Sequence, residues 1–128
     1  MRFLFLFFFA TNIFALNWKA VSYSDSAVSY VDIDSIKESK GIVYYWNLSD
    51  RHKKITVGNI TFMSSASYLM TDCEMNKVKT LSTTFYNKKM AQGDPLYTDN
   101  KVSQSWSYQL PGSVGAQVNE YACSLINS

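Results

Sequence analysis

Cys73 and Cys123 are the only two cysteines in this 128-residue chain, so a single intramolecular cross-link is available to it. Whether it forms depends on the compartment, and the first fifteen residues speak to that. Arg2 is followed by an apolar run, Phe3-Leu4-Phe5-Leu6-Phe7-Phe8-Phe9-Ala10, broken at Asn12, and Ile13-Phe14-Ala15 ends on a small residue. That is the pattern of a secretory signal peptide. The run is shorter than the roughly 20 apolar residues of a membrane-spanning helix, and no second one follows. We therefore expect a leader over residues 1–15 and one exported domain over residues 16–128, with no transmembrane segment. In an oxidising compartment the cysteine pair is most simply a structural disulfide. A metal site is the weaker rival, because the only other soft ligand is one histidine and the spacing is not that of a zinc site. Closing a loop of about 50 residues contributes roughly 4 kcal/mol by chain entropy.

Composition narrows the fold further. Six of the eight phenylalanines lie in the leader, leaving Phe62 and Phe85 beside nine tyrosines and three tryptophans. Tyrosine, tryptophan, valine and threonine favour half-buried pleated surfaces. Setting Arg2 aside leaves eleven basic against ten acidic residues. So balanced a charge gives no reason to expect nucleic acid as a partner.

Strands are expected at residues 18–23 and 28–33, separated by Ser24-Asp25-Ser26. Asp34-Ser35-Ile36-Lys37 reads as a short helical turn, since Asp and Ser form local side-chain bonds. The clearest strand is Ile42-Val43-Tyr44-Tyr45-Trp46-Asn47-Leu48. Period two puts Ile42, Tyr44, Trp46 and Leu48 on one face, taken as the core, and Val43, Tyr45 and Asn47 on the other. A charged loop, Asp50-Arg51-His52-Lys53-Lys54, comes next; residues 55–63 read as either strand or loop. Residues 68–75 alternate, with Leu69, Thr71, Cys73 and Met75 inward. Asn76-Lys77 suits a tight turn, and residues 78–86 return antiparallel. Residues 90–103 read as a long irregular loop, and a short strand is expected around Trp106. Ser113 is placed to cap a helix to about Leu125, with Val114, Val118, Tyr121 and Leu125 as its apolar stripe. Cys123 falls to the edge of that stripe. The fold class is α+β: one domain, an antiparallel sheet of five or six strands, and a C-terminal helix on one face. Trp46, Leu69 and Trp106 are expected in the core.

The ordered set Tyr30-Val31-Asp32-x-Asp34-Ser35-Ile36, Trp46-x-Leu48-x-Asp50, Cys73, Tyr86, Trp106, Pro111-Gly112-Ser113 and Cys123 resembles the surface-adhesin protein E family of proteobacteria. The resemblance implies a six-stranded antiparallel sheet with a disulfide-tethered terminal helix. It also implies recognition of host extracellular-matrix proteins. A lipid anchor would need a cysteine directly after the leader, and none lies before position 73; the expectation is an exported protein, periplasmic or secreted.

No nucleophile–base set is visible, so no enzyme activity and no cofactor are expected. The short basic run Arg51-His52-Lys53-Lys54 is first of all a solvated segment that favours solubility. Its functional reading is a contact for an anionic glycan or an acidic protein segment, which Lys88 and Lys89 could extend. Asp32, Asp34 and Asp50 lack a calcium-loop pattern and suit turn formation. Asn47-Leu48-Ser49 and Asn59-Ile60-Thr61 match the glycosylation sequon, a chance match in a bacterial chain. Of the aromatic trio Tyr44-Tyr45-Trp46, Tyr45 is expected to be exposed and so to be the ligand contact. The uncovered Val43 and Tyr45 face also leads us to expect weak homodimerisation. The leading reading is a non-enzymatic binding module; the alternative is a periplasmic structural or envelope-maintenance protein with no host ligand.

Overall fold

The computed structural model describes residues 16–102 and 105–126; the expected leader lies outside them. Eight strands and one helix follow in order: β1 (Trp18–Tyr23), β2 (Ala27–Asp32), β3 (Lys37–Ser39), β4 (Ile42–Val57), β5 (Ile60–Asp72), β6 (Lys77–Tyr86), β7 (Pro95–Asp99), β8 (Ser107–Tyr108) and α1 (Val114–Ile126). A 3₁₀ turn at Lys89–Ala91 links β6 to β7. They form a single domain with one antiparallel sheet, ordered β1-β2-β4-β5-β6-β7, with β3 also paired to β4 and β8 to β6.

The expected count of five or six strands is corrected to eight by short edge segments. Asp34-Ser35-Ile36-Lys37 is not a helical turn. Asp32 Oδ1 accepts from the Asn17 and Asp34 backbone N–H groups at 2.9 and 3.4 Å, a tight turn follows at Ile33 and Asp34, and the chain extends into β3. The irregular loop expected over residues 90–103 contains β7. Pro95 opens that strand at an edge, where a missing N–H is tolerated, and the Thr84 and Thr98 hydroxyls bond across it at 3.0 Å.

The strand expected over residues 42–48 continues to Val57. Asp50 pairs with Ser64 and Ile55 with Phe62, so Arg51, His52, Lys53 and Lys54 face Met63 alone across a wide bulge. The basic segment is thus a bulged strand rather than a loop. The hairpin turns at Gly58-Asn59, where Gly58 at φ 63° supplies the positive φ a two-residue turn requires. The β5–β6 hairpin is antiparallel as expected, and Asn76 takes φ 54°. Met75, expected inward, is exposed on that turn.

The faces of β4 are the reverse of the expectation over Val43 to Trp46, whereas Leu48, on the Trp46 side, is buried as expected. Val43 and Tyr45 are fully buried beneath α1 with Val31, Val118 and Ala122, while Tyr44 and Trp46 are half-buried on the opposite face. Both faces of this strand are apolar, so alternation alone cannot choose between them. Two features of α1 decide. Ala116 and Ala122 are small, which lets the helix approach the sheet closely. Asn119, also buried, accepts bonds from the Tyr45 hydroxyl at 2.5 Å and the Thr71 hydroxyl at 3.2 Å. A tryptophan has no hydroxyl to make such a bond. Burying each of Val31, Val43 and Val118 contributes about 1.5–3 kcal/mol.

The helix is accordingly rotated from its expected setting. Ser113 caps it, its Oγ accepting the Ala116 N–H at 3.1 Å. Ala116, Val118, Asn119 and Ala122 face inward, with Tyr121 packed beside them, whereas Val114 and Leu125 are exposed. Cys123 reaches Cys73 to form the expected disulfide, with Cα atoms 6.0 Å apart. Leu69 packs partly buried against the same core, and Trp46 and Trp106 are only half-buried. With Val43 and Tyr45 covered, the surface expected to drive homodimerisation is removed.

Candidate functional site

α1 packs over β1, β2 and β4 and leaves the other face of the sheet open apart from its end at Leu48, Asp50, Ser64 and Ala66, which are buried. Direct cross-strand partners share a face, so the register fixes what that face presents. One row carries Trp46 and Tyr68, the next carries Lys37, Tyr44, Met70 and Lys79, and the next Ile42, Asp72 and Lys77. Tyr68 lies against both neighbouring aromatics, 4.9 Å from Trp46 and 6.3 Å from Tyr44 between ring centres. Burial and the neighbouring Tyr44 raise the Tyr68 phenol above its usual pKa, so it stays neutral at physiological pH.

Beside Trp46 this face deepens into an open groove of about 650 Å³, lined by Leu16, Trp18, Trp46, Tyr86, Met90 and Gln92, with Ala66 among its walls. That volume is in the range of small-ligand sites. One wall is the strap after β6. Asp50, almost fully buried, accepts the Met90 N–H at 2.7 Å and pairs with Lys89 at 3.4 Å. Ser64 Oγ donates to the Lys88 carbonyl at 2.5 Å and accepts the Ala91 N–H at 2.9 Å. Met90 and Ala91 sit at φ 60° and 56°, a left-handed conformation that costs non-glycine residues roughly 1–2 kcal/mol each. The four bonds offset that strain and hold the wall in place.

The basic segment adjoins this wall. Lys89 Nζ donates to the Arg51 carbonyl at 2.7 Å, so one of the two lysines expected to extend the patch does meet it. Arg51 Nε donates to the Lys53 carbonyl at 3.1 Å. His52 is tied to the β1–β2 turn, its N–H to the Ser26 carbonyl at 3.0 Å and its Nε2 to the Ser24 carbonyl at 3.3 Å. His52, Lys53 and Lys54 are exposed. Tyr45, the fifth expected contact, is not: it is 0% exposed, and burial pushes its phenol up to about 12. The aromatic side chains of the groove face that sequence reasoning did not single out for it are Tyr44, Trp46 and Tyr68, along with Trp18 and Tyr86. Choosing the wrong face of β4 hid Tyr44 and Trp46, while Tyr68 lies on the side of β5 that alternation turns outward. The carboxylates Asp32 and Asp50 serve structure, holding backbone N–H groups. Among the described residues no three His, Cys, Asp or Glu side chains are grouped to hold a metal, and no helix is long and apolar enough to cross a membrane.

The fold has clear counterparts. The chain is similar to crystal form II of Haemophilus influenzae protein E, with a TM-score of 0.70, 16% identity, and coverage of 88% of this chain and 91% of that one. Another Haemophilus influenzae protein E structure gives a TM-score of 0.66 at 17% identity, covering 84% of each chain. Protein E from non-typeable Haemophilus influenzae gives 0.62 at 17% identity, covering 84% and 76%. No curated protein matches in sequence. At these identities the structures establish a common fold, and the profile of the family described as Surface-adhesin protein E matches residues 18–124. The chain belongs to the Surface-adhesin protein E family.

Proposed function

We propose that this protein is an exported, non-enzymatic binding module that recognises a host extracellular-matrix protein through its open sheet face. The observation that carries the reading is the groove walled by Trp18, Trp46 and Tyr86 on the face that α1 leaves uncovered. Tryptophan, tyrosine and arginine supply most of the energy at protein–protein contacts. Here such rings stand next to Arg51, Lys53 and Lys54, which would meet acidic segments of the partner. Family membership supports the adhesin-like role, and export rests on the leader expected over residues 1–15. Placement in the periplasm or outside it, without a lipid anchor, is part of the same reading.

Each exposed ion pair contributes under about 1 kcal/mol, so the basic residues tune affinity while the aromatic groove provides most of it. The test is binding of the purified protein to a panel of immobilised extracellular-matrix proteins. Trp46→Ala is expected to abolish detectable binding. Replacing Arg51, Lys53 and Lys54 together by Ala should weaken binding and reduce its salt sensitivity. A folded wild-type protein that binds none of the panel would contradict the proposal and favour a structural role in the envelope.

A further inference from the structure

At the far end of the same face, two lysines converge on one indole. Lys77 and Lys79 place Nζ 5.1 and 5.2 Å from the ring centre of Trp106, and Lys77 lies 6.0 Å from the ring of Tyr108. The lysines are two residues apart on β6 and share a face, so their stems are roughly 7 Å apart. An indole attracts a cation through its quadrupole but carries no net charge, so it gathers both ammonium groups without neutralising either. The only ammonium–carboxylate pair among the described residues is Lys89 with Asp50; neither Lys77 nor Lys79 has one. Lys37 adds a third cation in the row of Tyr44, Met70 and Lys79. Tyr108 is 67% exposed.

We propose that Lys77, Lys79, Trp106 and Tyr108 form a binding site for a sulfated polysaccharide. A sulfate group bridges the Lys77 and Lys79 ammonium groups, and the C–H face of a sugar ring lies on the exposed aromatic surface. The chain continues across the strands towards Lys37. Charge complementarity calls for an anion, and flat rings beside the cations favour a saccharide over a purely acidic peptide or an anionic bilayer. The site is distinct from the basic segment: Met63, opposite Arg51 and Lys54, and Asp72, opposite Lys77, are separated along β5 by roughly 30 Å.

The experiment is titration of the purified protein with a heparin decasaccharide, followed by calorimetry and tryptophan fluorescence. Wild type is compared with a Lys77→Gln/Lys79→Gln double variant, Trp106→Leu, and the Arg51→Ala/Lys53→Ala/Lys54→Ala triple variant, each checked for an unchanged melt. The double variant is expected to lose about tenfold in affinity, the size of two exposed charge contacts. Trp106→Leu should lose affinity and the fluorescence change together, and the triple variant, which keeps Lys77, Lys79 and Trp106, should keep the fluorescence change. Equal affinity for the double variant and wild type would overturn the site. So would loss confined to the triple variant. Fully desulfated decasaccharide should not bind. Binding of polyglutamate or phosphatidylserine vesicles as tight as that of heparin, with the same lysine dependence, would overturn the saccharide assignment. Decasaccharide binding without any matrix-protein binding would sink the proposed function and leave this site standing.

Discussion

Tyr45 shows how one hydroxyl can settle the orientation of a strand. Its ring fills the space beneath α1, and its phenol reaches Asn119, itself buried. Burial favours the neutral phenol, raising its pKa from 10.0 to about 12 despite the Thr71 hydroxyl, which acts the other way. The folded chain therefore keeps a proton that the unfolded chain gives up near pH 10. The stabilisation is complete below pH 10 and is lost as the pH rises towards 12, at roughly 1.4 kcal/mol per unit. Urea melts of wild type and Tyr45→Phe from pH 8 to 12 should show a steeper alkaline loss for wild type. Parallel curves would mean that Tyr45 is solvated. Burial makes a second prediction at this scale. Leu48→Ala should cost about 2–5 kcal/mol, as buried leucine truncations do. Val114→Ala, at an exposed helix position, should cost within about half a kcal/mol. Strand alternation places Leu48 inward, as found, but helical spacing places Val114 inward too, because it reads any apolar residue at the right angle as core. Asn119, absent from the expected apolar stripe, has its partners on β4 and β5, more than forty residues away in sequence.

The elements differ in how far local sequence specifies them. β1 and the capped start of α1 depend on nearby residues and were legible: Ser113 supplies the capping oxygen, and Asn76 tolerates the positive φ of its turn. β3 and β7 are strands only because a long strand beside them offers a free edge, so nothing within their three and five residues announces them, whereas the short strand expected around Trp106 is found as β8 at Ser107–Tyr108. The bulge in β4 was read as a loop for a similar reason: a run of four polar residues looks like a turn until β2 and β5 pair beside it. The α1–β5 connection is the element most open to test. Breaking the disulfide with Cys123→Ser should lower stability by about 2–4 kcal/mol, measured by denaturant unfolding under non-reducing conditions. An unchanged midpoint would mean that helix packing alone holds α1. The strap after β6 offers a smaller effect of opposite sign. Ala91→Gly relieves a left-handed residue, and a gain of up to about 1 kcal/mol is expected, reduced by the entropy glycine brings to the unfolded chain.

For the whole molecule, the division into two faces matters more than the strand count. One face is committed to α1 and the core; the other keeps Tyr44, Trp46 and Tyr68, a groove, and basic residues near both ends of β5. The architecture of helix and antiparallel sheet was legible from the strand run, the helix cap and the cysteine pair. The binding face was not, since it depends on which side the helix covers, and that choice rests on the Asn119–Tyr45 contact between distant segments. The most direct test is a backbone and indole NMR titration of the labelled protein with a matrix protein or fragment that it binds. The account predicts shifts at the Trp18 and Trp46 indoles, at Tyr86 to Gln92 and at Arg51 to Lys54, with the exposed side of α1, marked by Val114 and Glu120, unmoved. Shifts confined to α1, with the Trp46 indole unchanged at saturation, would contradict it.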